Sequence, residues 1–170
     1  RWMLDDLSFI EYYSVNCIFT CKSDIYGDVI LKIGKPSKET STEYFALREY
    51  DGWRFCKAYD ADLENGIMVI ERIIPGTMLR KELDISKRVG IFCSLHKGLH
   101  KPPAFPGKYP KYIQWVERIT EYMKNIEGYD FFTSHMKQAC VMCHELLEIY
   151  DNEFLLHGDL HHDNILLDNH

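Results

Sequence analysis

No apolar run in this chain of 170 residues approaches the roughly 20 needed to span a membrane, so no membrane partner is expected. A basic excess is also missing. Twenty Lys and Arg stand against 26 Asp and Glu, for a net charge of −6, which counts against a nucleic-acid partner and suits a cationic small molecule. The six cysteines (Cys17, Cys21, Cys56, Cys93, Cys140, Cys143) lack the spacing of a small disulfide scaffold. The opening RWMLDDLSFIEYY carries acids where a secretory signal would be apolar. Reduced thiols in a cytoplasmic protein are therefore expected. There is no internal repeat and no low-complexity segment. Apolar residues are not scarce: 46% of the chain is hydrophobic and 14% aromatic, enough for a buried core and too much for a disordered chain.

The N-terminal part reads as sheet. SVNCIFTCKS and DVILKIG form a strand-turn-strand pattern around SDIYG, which predicts an antiparallel hairpin. TEYFALREYDG reads as a helix capped by Ser41 or Thr42 and ended by Gly52, with Tyr44, Leu47 and Tyr50 as its buried stripe. Two further strands flank the turn ENG. After Ile74-Pro75-Gly76 the character changes to helices: one over DISKRVGIFCSLHKGLH, with Ile85, Val89, Phe92, Cys93 and Leu99 at helical spacing, then PKYIQWVERITEYMKNIEG and FFTSHMKQACVMCHELLEIY. In the last, Met136, Cys140, Cys143 and Leu147 share a face, with core packing as the reading for the cysteines. The expected class is α+β, with an N-terminal unit over 1–74 and a mainly helical one over 75–170.

LLHGDLHHDNILLD, Leu155 to Asp168, carries the chemistry. His157, Asp159 and Asn164 follow the spacing H-x-D-x-x-x-x-N, that of a kinase catalytic loop. Phosphoryl transfer needs a carboxylate beside the attacking hydroxyl and an oxygen ligand for magnesium. Asp159 suits the first role and Asn164 the second, with His157 bracing the loop. His157, His161 and His162 also allow a zinc reading, but Gly158 and Asn164 disfavour the helix that an i, i+4 histidine pair needs. His161 and His162 are read either as acceptor-pocket residues or as polar loop residues.

Other parts of a kinase can be sought in order. Lys32 interrupts the apolar strand DVILKIG, where a nucleotide-positioning lysine would sit, although an edge-strand lysine is commonly just a snorkelling surface residue. Its partner carboxylate would be Glu43, with Glu49 second. MVIERI fits a linker that reads adenine through backbone groups, between Glu71 and Ile73. The segment before the lysine has none of the glycines of G-x-G-x-x-G. If it covers phosphates, it uses Ser14, Asn16 and backbone N–H groups.

HGDLHHDNIL, with VILKIG, TEYFALREYDG and MVIERIIPG, resembles the aminoglycoside phosphotransferase family. More narrowly, it resembles the branch of streptomycin 6-phosphotransferases and hydroxyurea-type resistance kinases. The resemblance runs along nearly all of the chain. It implies a two-lobed protein-kinase-like fold, an antiparallel sheet with one helix followed by an incomplete helical lobe. It further implies ATP with Mg2+, and transfer of the γ-phosphate to a hydroxyl of a small, cationic acceptor such as streptomycin. By position it assigns Asp159 as the catalytic aspartate, Asn164 as the metal-binding asparagine, and Lys32 and Glu43 as the nucleotide-positioning pair. The family's second metal-binding aspartate falls beyond His170, so a fragment of a longer product, weak or inactive by itself, is expected. The competing readings are a nucleotide-binding module without turnover and a kinase for a metabolic amino alcohol or sugar.

Overall fold

The computed structural model describes residues 1–11, 15–126, 128 and 130–168. They fall into two compact units: residues 1–101 with the returning segment from Leu155, and residues 102–154.

The first unit is built on a five-stranded antiparallel sheet. Its strands are β1 (Leu4–Phe9), β2 (Cys17–Ser23), β3 (Gly27–Ile33), β4 (Ala58–Asp62) and β5 (Ile67–Glu71), in the order β1-β2-β3-β5-β4. The β2–β3 hairpin runs in unbroken register from Cys17↔Ile33 to Ser23↔Gly27. Gly27, at φ +77°, supplies the left-handed turn residue. Alternate residues of β2, β3 and β5 point inward, so Cys21, Val29, Leu31 and Val69 form one buried cluster. The thiols at Cys17, Cys21, Cys56, Cys93, Cys140 and Cys143 are all free.

Strand β1 has no counterpart in the sequence reading. LDDLSF carries two acids and almost all of it is exposed. It is an edge strand held by backbone pairing to β2, with a register shift between Asp5 and Ser8. Before it, Arg1 and Trp2 reach across to β4, where Trp2 Nε1 donates to Asp60 at 2.7 Å.

Helix α1 (Lys38–Tyr50) starts earlier than the sequence suggested. Ser37 is the cap, its Oγ accepting from Thr40 N–H at 3.1 Å, whereas Ser41 and Thr42 lie inside the helix. Pro36 and the extended Ser37 fix the start one turn upstream. Asp51, in the left-handed conformation, closes the helix ahead of Gly52. Leu47 and Tyr50 are buried, and Tyr44 packs against the Leu47–Ala58–Met68 cluster.

Gly66 ends the β4–β5 turn at φ +69°. A Cβ there would fall 2.2 Å from the Gly34 carbonyl oxygen and 2.8 Å from Pro36 N. Gly66→Ala is expected to cost about 2 kcal/mol or more, from left-handed strain plus the backbone clash. A thermal melt would show this as a drop of several degrees; an unchanged Tm would mean the turn relaxes freely.

Beyond the sheet come β6 (Pro75–Met78), α2 (Ile85–His96) and, at the end of the chain, β7 (Leu166–Asp168). β6 pairs antiparallel with β7. Asp84 caps α2, its carboxylate accepting from Lys87 N–H. The helix ends at His96, so Leu99 is not on its stripe. Gly98, at φ +75°, turns the chain, and Leu99 is buried beyond it.

The second unit is a pair of helices, α3 (Tyr112–Lys124) and α4 (Asp130–Ile149). Val116 and Thr120 are buried, and Thr120 Oγ1 donates to the Met136 carbonyl at 3.3 Å. Met136, Cys140 and Cys143 are half-buried as the periodicity predicts, but Leu147 is 53% exposed. Helix α4 has 20 residues and α3 only 13, so α3 cannot cover the last two turns of its neighbour. Among the described residues no helix is long and apolar enough to cross a membrane.

Candidate active site

The segment from His157 to Asn164 is an irregular loop with both ends anchored. Leu155 and Ile165 are buried on either side. Leu155 N–H donates to the Lys101 carbonyl at 2.8 Å, and Leu79 N–H donates to the Ile165 carbonyl at 2.8 Å. Arg80 N–H donates to the His162 carbonyl at 3.1 Å, which ties down the middle. Gly158, at φ +79°, makes the bend a side chain would resist.

Inside the loop, Asp159 and Asn164 meet. Asn164 Nδ2 donates to the Asp159 carbonyl at 2.9 Å and to its Oδ2 at 3.2 Å. These bonds commit the amide nitrogen and leave Asn164 Oδ1 as a fixed oxygen donor. The Asp159 side chain is 78% exposed, open to a partner from outside. His161 Nε2 lies 3.5 Å from Asp159 Oδ2 and 3.1 Å from Asn164 Nδ2.

His157 turns the other way. Its ring stacks on Phe55 with centroids 5.6 Å apart, and its Nδ1 accepts from Asp159 N–H at 3.3 Å. Burial holds its pKa below the usual histidine value, against the opposing pull of the Asp159 charge. The sign follows: the unfolded chain binds a proton here near pH 6.5 while the folded ring refuses it, so stability falls as pH drops below that value. At neutral pH the ring is an uncharged brace.

A pair that motif reasoning passed over braces the loop: Asp163 within it and Arg80 outside it. Asp163 has only 16% of its side chain exposed, and its Oδ1 lies 2.8 Å from Arg80 Nε. That oxygen finds no aligned hydrogen bond among the described residues, so charge attraction is what compensates its burial. Arg80→Met is expected to lower stability by about 1–2 kcal/mol, because a buried carboxylate loses its counter-charge, with Arg80→Lys recovering part of it. Urea unfolding of the three proteins measures this, and equal midpoints would remove the pair from the loop's support. Nothing in the sequence marks Arg80, which lies outside every motif. Asp163 was visible only as one acid among several.

On the sheet, Lys32 of β3 and Glu43 of α1 are brought together. Lys32 Nζ donates to both Glu43 carboxylate oxygens at 2.6 Å, and the lysine is 19% exposed. Glu49, the second choice, is not the partner. Cys56 lies nearby. Burial, then the charges of Glu43 and Glu71, push its thiol up to about 11, with Lys32 opposing, so it stays protonated and inert.

The Glu71 backbone N–H donates to the Lys57 carbonyl at 2.8 Å, and its carboxylate accepts from Lys57 N–H at 2.9 Å. Both groups are thus committed within the sheet, and Ile73 follows beyond the end of β5. Asn16 precedes β2, opposite the end of β3, with its Oδ1 at the place a Cβ on Gly34 would occupy, 1.9 Å away. Ser14 lies outside the described residues. No cluster of three or more His, Cys, Asp or Glu able to hold a metal occurs among the described residues.

An antiparallel sheet carrying a lysine paired to a helix glutamate, with an H-x-D-x-x-x-x-N loop returning beside it in sequence order, defines a kinase-like α+β protein. Residues 24–170 match the aminoglycoside/hydroxyurea antibiotic resistance kinase family, and the chain belongs to it. It is thus a phosphotransferase of an antibiotic-resistance family, acting on a small molecule. No curated protein matches the chain.

Proposed function

We propose that the protein transfers the γ-phosphate of ATP to a hydroxyl of a small acceptor, with an aminoglycoside such as streptomycin as the leading candidate. The observation that carries this is the Asp159–Asn164 contact inside a loop anchored at both ends. Residues 1–74 form the nucleotide-binding part, and residues 75–170 contribute the catalytic loop.

The donor set fits the partners that the family implies. Asn164 Oδ1 is a hard oxygen ligand, oriented by its own amide bonds, and suits Mg2+. When bound, that ion neutralises charge on the phosphates. Lys32, steadied by Glu43, supplies a positive charge for the phosphates. Asn16, Ser14 and backbone N–H groups cover them, and backbone groups near Glu71 and Ile73 meet the adenine.

Asp159 accepts the proton of the acceptor hydroxyl as its oxygen bonds to the γ-phosphorus. The bond from that phosphorus to the bridging oxygen breaks, and ADP leaves with the electron pair. His157 keeps the loop in place without carrying charge. The compartment is proposed to be the cytoplasm, where ATP is available.

The test is ADP release by the whole gene product that carries this chain, with ATP, magnesium and a panel of streptomycin, other aminoglycosides and simple alcohols. Streptomycin-dependent release supports the branch. Release with another acceptor keeps the kinase and discards streptomycin. ATP binding without release for any acceptor would favour a binding module.

A further inference from the structure

Phe55 lies in the segment that leaves α1, and its ring is the surface on which His157 rests, with centroids 5.6 Å apart and planes 21° from parallel. The segment is bent to bring it there. Asp51, Gly52 and Arg54 all sit in the left-handed region, at φ +46°, +85° and +60°. Residues other than glycine hold that conformation only where their surroundings enforce it. Two anchors do so here. The Arg54 guanidinium donates to the Ser94 and Leu95 carbonyls at 2.8 and 2.6 Å, in the last turn of α2, where carbonyls lack helical partners. The buried Tyr50 hydroxyl donates to the Leu99 carbonyl at 2.9 Å, and Lys101 Nζ lies 4.7 Å from the centre of its ring. Phe55 packs on Tyr50, with centroids 4.2 Å apart. The contacts therefore run from Tyr50 to Phe55 to His157, and from His157 Nδ1 to the N–H of Asp159.

The last contact has a chemical condition. Nδ1 accepts a hydrogen bond only when the imidazole is neutral and carries its proton on Nε2. Burial keeps the ring neutral; the charges of Asp159 and Glu43 pull the other way, and that of His161 acts with burial. The charged groups beside Phe55 are turned elsewhere, Arg54 to α2 and Lys57 to Asp51 at 3.0 Å. Phe55 thus offers His157 an uncharged, flat face. Its packing against the Leu47–Ala58–Met68 cluster would be served by any apolar side chain of similar size. A near-parallel stack on an imidazole would not.

We propose that Phe55 is a positioning residue for phosphotransfer, its ring holding the His157 imidazole so that Nδ1 receives the Asp159 N–H and the Asp159 carboxylate is set for the acceptor hydroxyl. The reaction in this statement rests on the phosphotransfer reading; the locking of the ring does not.

Phe55→Leu keeps apolar volume and removes the flat face, whereas Phe55→Tyr keeps the face. Both are compared with the starting protein in the whole gene product that carries this chain. With ATP and streptomycin, Phe55→Leu is expected to lower kcat about tenfold, as a small misplacement of a reacting group does, with KM for ATP within about twofold. Phe55→Tyr should stay within about twofold in both. Nitrogen NMR of the His157 ring and exchange of the Asp159 amide are read without nucleotide. The starting protein and Phe55→Tyr should show the proton on Nε2 and a protected amide. Phe55→Leu should show mixed tautomers and an amide that exchanges about tenfold faster, as expected for a lost acceptor. A Phe55→Leu protein with unchanged ring and amide would overturn the proposal. So would equal losses in both variants, which would make Phe55 a packing residue, or a proton found on Nδ1 of the starting protein. If no ADP is released with streptomycin while the ring and amide respond as described, the locking stands and the phosphotransfer reading is what fails.

Discussion

Asp159→Asn is expected to cut turnover by about three orders of magnitude while leaving nucleotide affinity within a few-fold of its starting value. The substitution is nearly isosteric and keeps an oxygen near Asn164 Nδ2, so the loop should hold its shape. In the proposed reaction, what disappears is the ability to take up the acceptor proton. General-base assistance contributes typically 10²–10⁴-fold, and a thousandfold loss corresponds to about 4 kcal/mol at 1.36 kcal/mol per tenfold. Steady-state rates and nucleotide titration of both proteins separate the two effects. Retained turnover would move the base to another residue. A matched loss of nucleotide binding would make Asp159 a structural residue.

Lys32→Met is the second large effect expected. Methionine keeps the apolar stem of the lysine, so the β3 core should survive. The ammonium that Glu43 holds at 2.6 Å is gone. Removing one preorganised charge-stabilising group commonly costs 10²–10³-fold, and a loss of that order in kcat/KM for ATP is expected. Glu43→Gln keeps the cation but loosens its position, so a smaller loss, about tenfold, should follow. The order Lys32→Met worse than Glu43→Gln distinguishes positioning from general damage. A fall in Tm without a kinetic effect would return Lys32 to the role of a surface residue.

Much of this site was legible because it is local. His157, Asp159 and Asn164 fall within eight consecutive residues, and the spacing alone places them on one loop. Lys32 stood out because a charge inside an apolar strand needs a partner. Glu43 rather than Glu49 is the carboxylate that it meets.

What escaped the sequence is what depends on the return of the chain. Arg80 and Asp163 are more than 80 positions apart and meet only because β6 pairs with β7. Phe55 under His157 is another such meeting. Strand β1 escaped for a different reason. An exposed edge strand is held by backbone hydrogen bonds, which any side-chain pattern permits.

The hydrogen bond from Leu155 N–H to the Lys101 carbonyl has a consequence for engineering. It stitches together the two points at which residues 102–154 leave and rejoin the sheet-bearing unit. A segment whose ends are already neighbours behaves as a cassette, because swapping or shortening it changes little in the entropy of closing the loop. The two helices can therefore be varied while the His157–Asn164 loop stays as it is. A designer can do the same, replacing 102–154 with a short linker and asking what the remaining unit still recognises.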